Sequence, residues 1–146
     1  MKAAKAAFWD TSAILPLCTV QSSTSLSARY SRQFSKKVVW WATPVEATSA
    51  LMREFRDGTI TVEEKNRAFQ RLKVLESTWN EVLPIDSLRI LAGRLLETYP
   101  LRAADALQLA AALRWCSEKP HRRTFVCFDI RLAESALRAG FTVIKN

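Results

Sequence analysis

Four acidic residues of this sequence occupy positions from which their carboxylates can meet around a divalent cation. They are Asp10, Glu46, Asp105 and Asp129. Asp10 and Asp129 each follow a short apolar run typical of a buried strand, and the carboxyl ends of neighbouring parallel strands converge at one edge of a sheet. Glu46 opens the helix after another strand, and Asp105 lies in the first turn of its helix, so both can reach that edge. Clustered carboxylates need cations to stay ionised, and oxygen-only ligands suit Mg2+ or Mn2+.

Each of the four acids also has a purely structural interpretation. Asp105 stands in the almost wholly apolar helix 102–117, where a lone carboxylate is costly to desolvate, and it could instead pair with Arg102 at the helix start. Glu46 completes a Thr-x-x-Glu capping box that begins at Thr43. Asp10 and Asp129 can act simply as helix N-caps, since short polar side chains are favoured there. Their shared location at one sheet edge favours a common site.

The elements that would position these acids alternate between strands and helices. Apolar runs predict strands at 6–9, 38–42, 124–128 and 141–144, with a short extended piece at 82–85. Caps and helical periodicity predict helices over 22–34, 44–57, 61–79, 86–99, 102–117 and 131–139. We expect a single domain over residues 1–146, an α/β three-layer sandwich with a mostly parallel central sheet flanked by helices. The helical stretch 44–80 is expected to form an appendage over one end of the sheet.

The composition of the chain favours some classes of function and excludes others. The chain has 22 basic and 14 acidic residues, and its net charge of +8 favours a polyanionic partner such as nucleic acid, although a solvated basic surface would also produce it. The single histidine, His121, excludes two-histidine acid–base catalysis. Three cysteines without CxxC spacing predict reduced, buried thiols. Asp10 interrupts the would-be signal sequence and no run reaches membrane-spanning length, so we expect a cytoplasmic protein without membrane contact.

The ordered set of motifs resembles a known family. Asp10-Thr11-Ser12-Ala13, then Glu46 in Thr-Pro-Val-Glu, then Arg102-Ala103-Ala104-Asp105-Ala106-Leu107-Gln108-Leu109-Ala110, and finally Phe125-Val126-Cys127-Phe128-Asp129 together resemble the PIN-domain nucleases. The likeness is greatest to VapC-type toxins of type II toxin–antitoxin systems, and it covers essentially the whole chain. All four acidic positions are filled in the expected order.

The resemblance implies a PIN-like fold and a Mg2+- or Mn2+-dependent endoribonuclease. In this interpretation Asp10 and Asp105 are the principal metal ligands, direct or through water, and Glu46 and Asp129 complete the catalytic cluster. Ser12 matches a hydroxyl that hydrogen-bonds a carboxylate or a phosphate, while Arg102 either contacts RNA or pairs with Asp105. The resemblance also implies a homodimer that is inhibited by a small cognate antitoxin.

Two other functions fit parts of the sequence. The same scaffold could be a non-catalytic RNA-binding module, in which case no activity would respond to Mn2+ or EDTA. A phosphatase with an aspartate nucleophile also begins with a strand that ends in Asp. That chemistry needs a second acid two residues later, where this chain has Ser12.

Overall fold

The computed structural model describes residues 3–146, in which strands and helices alternate along the chain. The strands are β1 (Ala6–Trp9), β2 (Lys36–Trp40), β3 (Asn80–Val82), β4 (Thr124–Val126) and β5 (Thr142–Ile144). The helices are α1 (Thr11–Cys18), α2 (Thr24–Gln33), α3 (Thr43–Arg56), α4 (Val62–Glu76), α5 (Asp86–Thr98), α6 (Ala103–Trp115) and α7 (Ile130–Ala139).

The five strands form one parallel sheet in the order β3-β2-β1-β4-β5. Strand β1 is central, with Ala6 opposite Lys36 of β2 and Phe8 opposite Phe125 of β4. The Asp10 backbone N–H donates to the Val126 carbonyl at 3.0 Å, which carries the pairing one residue past the end of β1. The chain therefore turns into α1 directly at the carboxyl edge of the sheet.

Side-chain alternation along the strands separates two cores, one on each face of the sheet. On one face Trp9 and Val39 pack with residues of α1, α3 and α4, such as Ile14 and Leu51. On the other face Phe8, Phe125 and their neighbours pack with α5, α6 and α7. This arrangement confirms the predicted α/β three-layer sandwich. It also shows that residues 44–80 do not form an appendage over one end of the sheet, because α3 and α4 supply Leu51 and Leu72 to a helical layer.

Helix α1 is the element that the sequence patterns miss. It spans only eight residues and contains Pro16, which lacks the N–H of an interior helical residue and therefore argues against a helix on local grounds. The helix forms because Asp10 caps it and because Ala13, Ile14 and Cys18 are buried against the sheet. Tertiary packing thus outweighs propensity here.

Other local predictions have mixed outcomes. The capping box at Thr61 and Glu64 is confirmed, with both reciprocal hydrogen bonds present at 3.1 Å. Strands β2 and β3 each begin two residues earlier than expected, and they pair in parallel with Asn80 opposite Val38. Cys18, Cys116 and Cys127 are buried and unpaired, as expected. No helix within residues 3–146 is long and apolar enough to cross a membrane.

Two glycines offer a matched test of this packing. Gly140 ends α7 with φ at 115°, and a Cβ there would lie 2.9 Å from Cγ of Pro120, whereas a Cβ on Gly93 inside α5 would meet nothing within 4 Å. We expect Gly140→Ala to lower the free energy of unfolding by at least ~1 kcal/mol and Gly93→Ala to raise it by up to ~1 kcal/mol. Urea denaturation measures both, and equal effects of the two substitutions would contradict this packing.

Candidate functional site

The carboxyl edge of the sheet brings the four predicted acids near one another. Asp10 follows β1 and Asp129 caps the helix after β4, while Glu46 and Asp105 lie in the first turns of α3 and α6. Their charges are close enough to act on one another, because Glu46 and Asp105 both raise the pKa of Asp10, and Asp129 raises the pKa of Asp105. All four acids therefore lie at the carboxyl edge, while their role as one shared site stays a prediction.

Asp10 is the most deeply placed of these acids, with only 5% of its surface exposed. Burial raises its pKa to about 7, and the charges of Glu46 and Asp105 add to that rise, whereas hydrogen bonds from Ser12 oppose it. The Ser12 backbone N–H and hydroxyl both donate to Oδ2 of Asp10, at 3.1 and 2.5 Å. The Cys127 thiol lies 3.7 Å from the same oxygen. Asp10 thus caps α1 and holds a carboxylate at the edge, with no cation in a direct ion pair with it among residues 3–146.

The Ser12 hydroxyl also connects the two chain segments that follow β1 and β4. Besides donating to Asp10, its oxygen accepts a hydrogen bond from the backbone N–H of Phe128 at 2.9 Å. The loop after β1 is in this way tied to the loop after β4. The predicted contact of Ser12 with substrate stays a prediction, and its contact with the first carboxylate is as the family resemblance implies.

The predicted capping box at Thr43 and Glu46 is wrong. Helix α3 already includes Thr43, its cap residue Ala42 makes no side-chain cap, and Glu46 points elsewhere. Oε1 of Glu46 accepts hydrogen bonds from the Thr11 hydroxyl at 2.9 Å and from Nε2 of Gln108 at 3.1 Å. Burial raises the pKa of Glu46, which these two hydrogen bonds partly offset. Helix capping therefore does not explain Glu46. The hydrogen bonds from Thr11 and Gln108 hold its carboxylate at the carboxyl edge of the sheet instead.

Gln108 is a positioning residue that the sequence patterns did not single out. It is fully buried, and its Nε2 also lies 3.1 Å from the Thr11 hydroxyl and 3.3 Å from the Thr43 hydroxyl. Its Oε1 has no hydrogen-bond partner among the described residues. One feature of the sequence could have identified Gln108. It is a polar residue three positions after Asp105, so both side chains lie on the same side of an otherwise apolar helix. We call Thr11, Thr43 and Gln108 the Glu46 clamp.

Asp129 and Asp105 face each other across the remaining part of the edge. The capping role predicted for Asp129 is confirmed, since its Oδ1 accepts from the Leu132 backbone N–H at 2.9 Å. Burial is the main reason that the pKa of Asp105 is raised, followed by the charge of Asp129, while Arg102 and Arg131 lower it. A direct ion pair between Arg102 and Asp105 is not formed, because the one pair within 4 Å among residues 3–146 joins Arg89 to Asp86.

An open cleft of about 480 Å³ lies beside these two acids. Its lining combines carboxylates with guanidinium groups and two apolar side chains; the residues are Arg102, Asp105, Phe128, Asp129, Ile130 and Arg131. A phosphate group placed here would have donors from both arginines next to the acidic edge. Contact between Arg102 and RNA stays a prediction, and Arg131 is an additional candidate that the sequence patterns did not identify.

The donor chemistry of the edge fits a hard divalent cation. The carboxylates are oxygen donors, burial and mutual repulsion raise three of their pKa values, and no lysine or arginine within residues 3–146 neutralises them by a direct ion pair. The side chains are not arranged as a finished coordination shell, because no group of three or more His, Cys, Asp or Glu side chains in the described chain is placed to hold one metal ion. The assignment of Asp10 and Asp105 as the principal metal ligands stays a prediction.

Comparison with known proteins bears on the fold alone. The chain is similar to the protein in the crystal structure of PAE2754 from Pyrobaculum aerophilum, with 19% sequence identity and a TM-score of 0.61. The match covers 97% of this chain and 89% of that chain. No protein-family model and no curated protein matches the sequence. The similarity agrees with the parallel α/β sandwich described above.

The buried charge of Asp10 predicts a pH-dependent stability. Its pKa rises from 3.8 to about 7 on folding, so the folded state holds the proton more tightly and stability falls as pH rises from about 4 to about 7. In EDTA, Asp10→Asn should match wild type near pH 4 and exceed it by up to about 4 kcal/mol at pH 8, since one pKa unit corresponds to about 1.4 kcal/mol. Urea unfolding at both pH values measures this. Equal stabilities at pH 8, or the same gain in the exposed control Asp86→Asn, would contradict it.

The hydrogen bonds of the Glu46 clamp predict an effect on protein stability and on the pKa of Glu46. Gln108→Leu keeps the volume of the side chain but removes the amide donors from Glu46, Thr11 and Thr43. We expect a loss of ~1–3 kcal/mol in the free energy of unfolding, and a further rise in the pKa of Glu46 measured by carboxyl 13C NMR. The control is Gln70→Leu on the exposed face of α4. An unchanged Glu46 titration in Gln108→Leu would show that the amide does not hold this carboxylate.

Proposed function

We propose that this protein is a Mg2+- or Mn2+-dependent endoribonuclease, the toxin component of a toxin–antitoxin pair. The observation that carries the proposal is the set of four acids at one sheet edge beside two arginines. Three of these acids, Asp10, Glu46 and Asp105, have raised pKa values, and none of the four is directly paired with a cation within residues 3–146. This combination suits hydrolysis of a phosphodiester, in which cations bind the acidic edge and the arginines bind the phosphate. The basic composition agrees with an RNA substrate.

In this proposal each residue of the site has a role that follows from its position. Asp10 and Asp105 would be the principal metal ligands, with Glu46 and Asp129 completing the set. When bound, the metal would supply positive charge that favours ionisation of water and stabilises the leaving oxygen. The Glu46 clamp and Ser12 orient their carboxylates before any ligand arrives, which lowers the cost of reorganisation. Arg102 and Arg131 would orient the phosphate in the adjoining cleft.

The position of the single histidine supports hydrolysis over attack by the ribose 2′-hydroxyl. His121 lies in the exposed loop before β4, at the amino end of that strand, whereas the acids lie at the carboxyl end. No imidazole of this chain can therefore serve the acidic edge as a base. We infer that cleavage leaves 5′-phosphate and 3′-hydroxyl ends.

The further features of this proposal rest on the family resemblance. They are inhibition by a small cognate antitoxin and a homodimer. Action in the cytoplasm is proposed instead from the sequence, where Asp10 interrupts the would-be signal sequence and no apolar run reaches membrane-spanning length. A second candidate function is an RNA-binding module without catalysis, which the lack of a finished three-ligand group among the described residues favours. The two candidates differ in whether cleavage depends on metal and on Asp10.

The decisive test incubates purified protein with total cellular RNA in Mg2+, Mn2+ or EDTA. We expect discrete cuts that require metal and that fall by on the order of 100-fold or more in Asp10→Asn and in Asp105→Asn, because each removes charge that the metal needs. Asp86→Asn removes an exposed acid that pairs with Arg89 and is not one of the four, and this variant should cut like wild type. Mapping of the new ends should show 5′-phosphates.

Four results would each contradict a part of this proposal. Cleavage that persists in EDTA would exclude a metal-dependent reaction, and ends with 2′,3′-cyclic phosphate would exclude direct hydrolysis. RNA binding without any cut in either metal would favour the non-catalytic module. Full activity of folded Asp10→Asn would refute the assignment of the site.

A further inference from the structure

The amino edge of the sheet carries a row of basic residues. Lys5 immediately precedes β1, Lys36 opens β2, and Arg122 and Arg123 immediately precede β4. These are three neighbouring strands, and the Lys36 backbone N–H donates to the Lys5 carbonyl at 3.1 Å. We call these four residues the amino-edge cations.

Strand register fixes the spacing of this row. Ala6 lies opposite Lys36, and the pairing of Phe8 with Phe125 places Arg123 opposite Ala6 on its other side when continued by two residues. Two strand spacings of ~4.8 Å therefore separate the backbones of Lys36 and Arg123 by about 10 Å. Paired positions of a parallel sheet point to the same face, so these two side chains leave the sheet on the same side.

The amino-edge cations are exposed and lack directly paired acids. All four are solvent-exposed, and within residues 3–146 no carboxylate lies within 4 Å of any of their charged groups. Arg123 is held in place, with its guanidinium 4.7 Å from the centre of the Trp115 ring and its carbonyl accepting from Thr142 at 2.9 Å. The edge thus presents fixed positive charge to solvent.

This surface is separate from the acidic edge. Lys5 and Asp10 stand at opposite ends of β1, about 17 Å apart at ~3.3 Å per residue. Arg123 and Asp129 likewise lie on either side of β4. No single phosphate can touch both edges, so any ligand of the amino edge binds independently of the carboxylates.

We propose that the amino-edge cations form a second nucleic-acid-binding surface that contacts the phosphate backbone of RNA. A row of cations at strand spacing suits a chain of closely spaced charges, and backbone contacts of this kind need no base recognition. Binding at this edge does not require catalysis, a metal ion or any residue of the acidic edge. An RNA long enough to pass around the molecule could be held here while another part of it lies in the cleft.

The test measures binding of a fluorescein-labelled 20-nucleotide single-stranded RNA to full-length Asp10→Asn in EDTA, across a range of NaCl concentrations. In this background we combine Lys5→Gln, Lys36→Gln and Arg122→Gln. Arg123 is kept unchanged, because its guanidinium packs on the Trp115 ring. We expect about tenfold weaker binding at 0.1 M salt, with the slope of log Kd against log salt reduced by about 2, since each contact to single strands contributes ~0.7.

A matched variant separates location from total charge. Arg53→Gln, Arg67→Gln and Lys73→Gln remove the same charge from exposed positions of α3 and α4 and should change Kd less than twofold. Equal weakening by both triple variants, parental affinity of the amino-edge variant, or absence of RNA binding by the parent would each overturn the proposal. So would binding to anionic phosphatidylserine vesicles that exceeds binding to RNA. Because metal and activity are absent, the result does not depend on the nuclease assay.

Discussion

The burial of acidic side chains without paired cations is the constraint around which this structure is arranged. Asp10 is almost fully enclosed at the end of the central strand, where ionisation costs desolvation energy. Most structural carboxylates avoid that cost by pairing with a base or by lying in solvent. Here neutral donors, chiefly Ser12, take that role, and they lower the cost without removing the negative charge. Burial still outweighs these hydrogen bonds, and the pKa of Asp10 is raised to about 7.

The donors that hold the acids come from both helical layers. Thr11 and Thr43 belong to helices on one face of the sheet, whereas Gln108 belongs to a helix on the other. They meet at Glu46 just beyond the strand ends, where the sheet no longer separates the two layers. The same contacts therefore connect the cores and orient a carboxylate. Substitutions in this network should change stability and the site together.

The parallel sheet also gives the molecule a charge polarity. All strands run in one direction, so residues that precede strands collect at one edge and residues that follow them collect at the other. Lys5 and Asp10 mark this separation on a single strand. An antiparallel sheet would mix the two sets at each edge. The polarity separates the amino-edge cations from the four acids, while Arg102 and Arg131 lie at the acidic edge, in the cleft beside Asp105.

Local patterns were sufficient for the α/β class, for the acids at strand ends and for the buried thiols, because alternation, capping and apolar runs act over a few residues. They gave the wrong partner for Glu46, since a capping box and a distant clamp look identical in sequence, and they passed over α1, whose Pro16 argues against a helix. The partners of Glu46 lie 35 and 62 residues away in the chain. Only the tertiary structure decides such contacts, because side chains far apart in sequence meet through the packing of whole helices on the sheet.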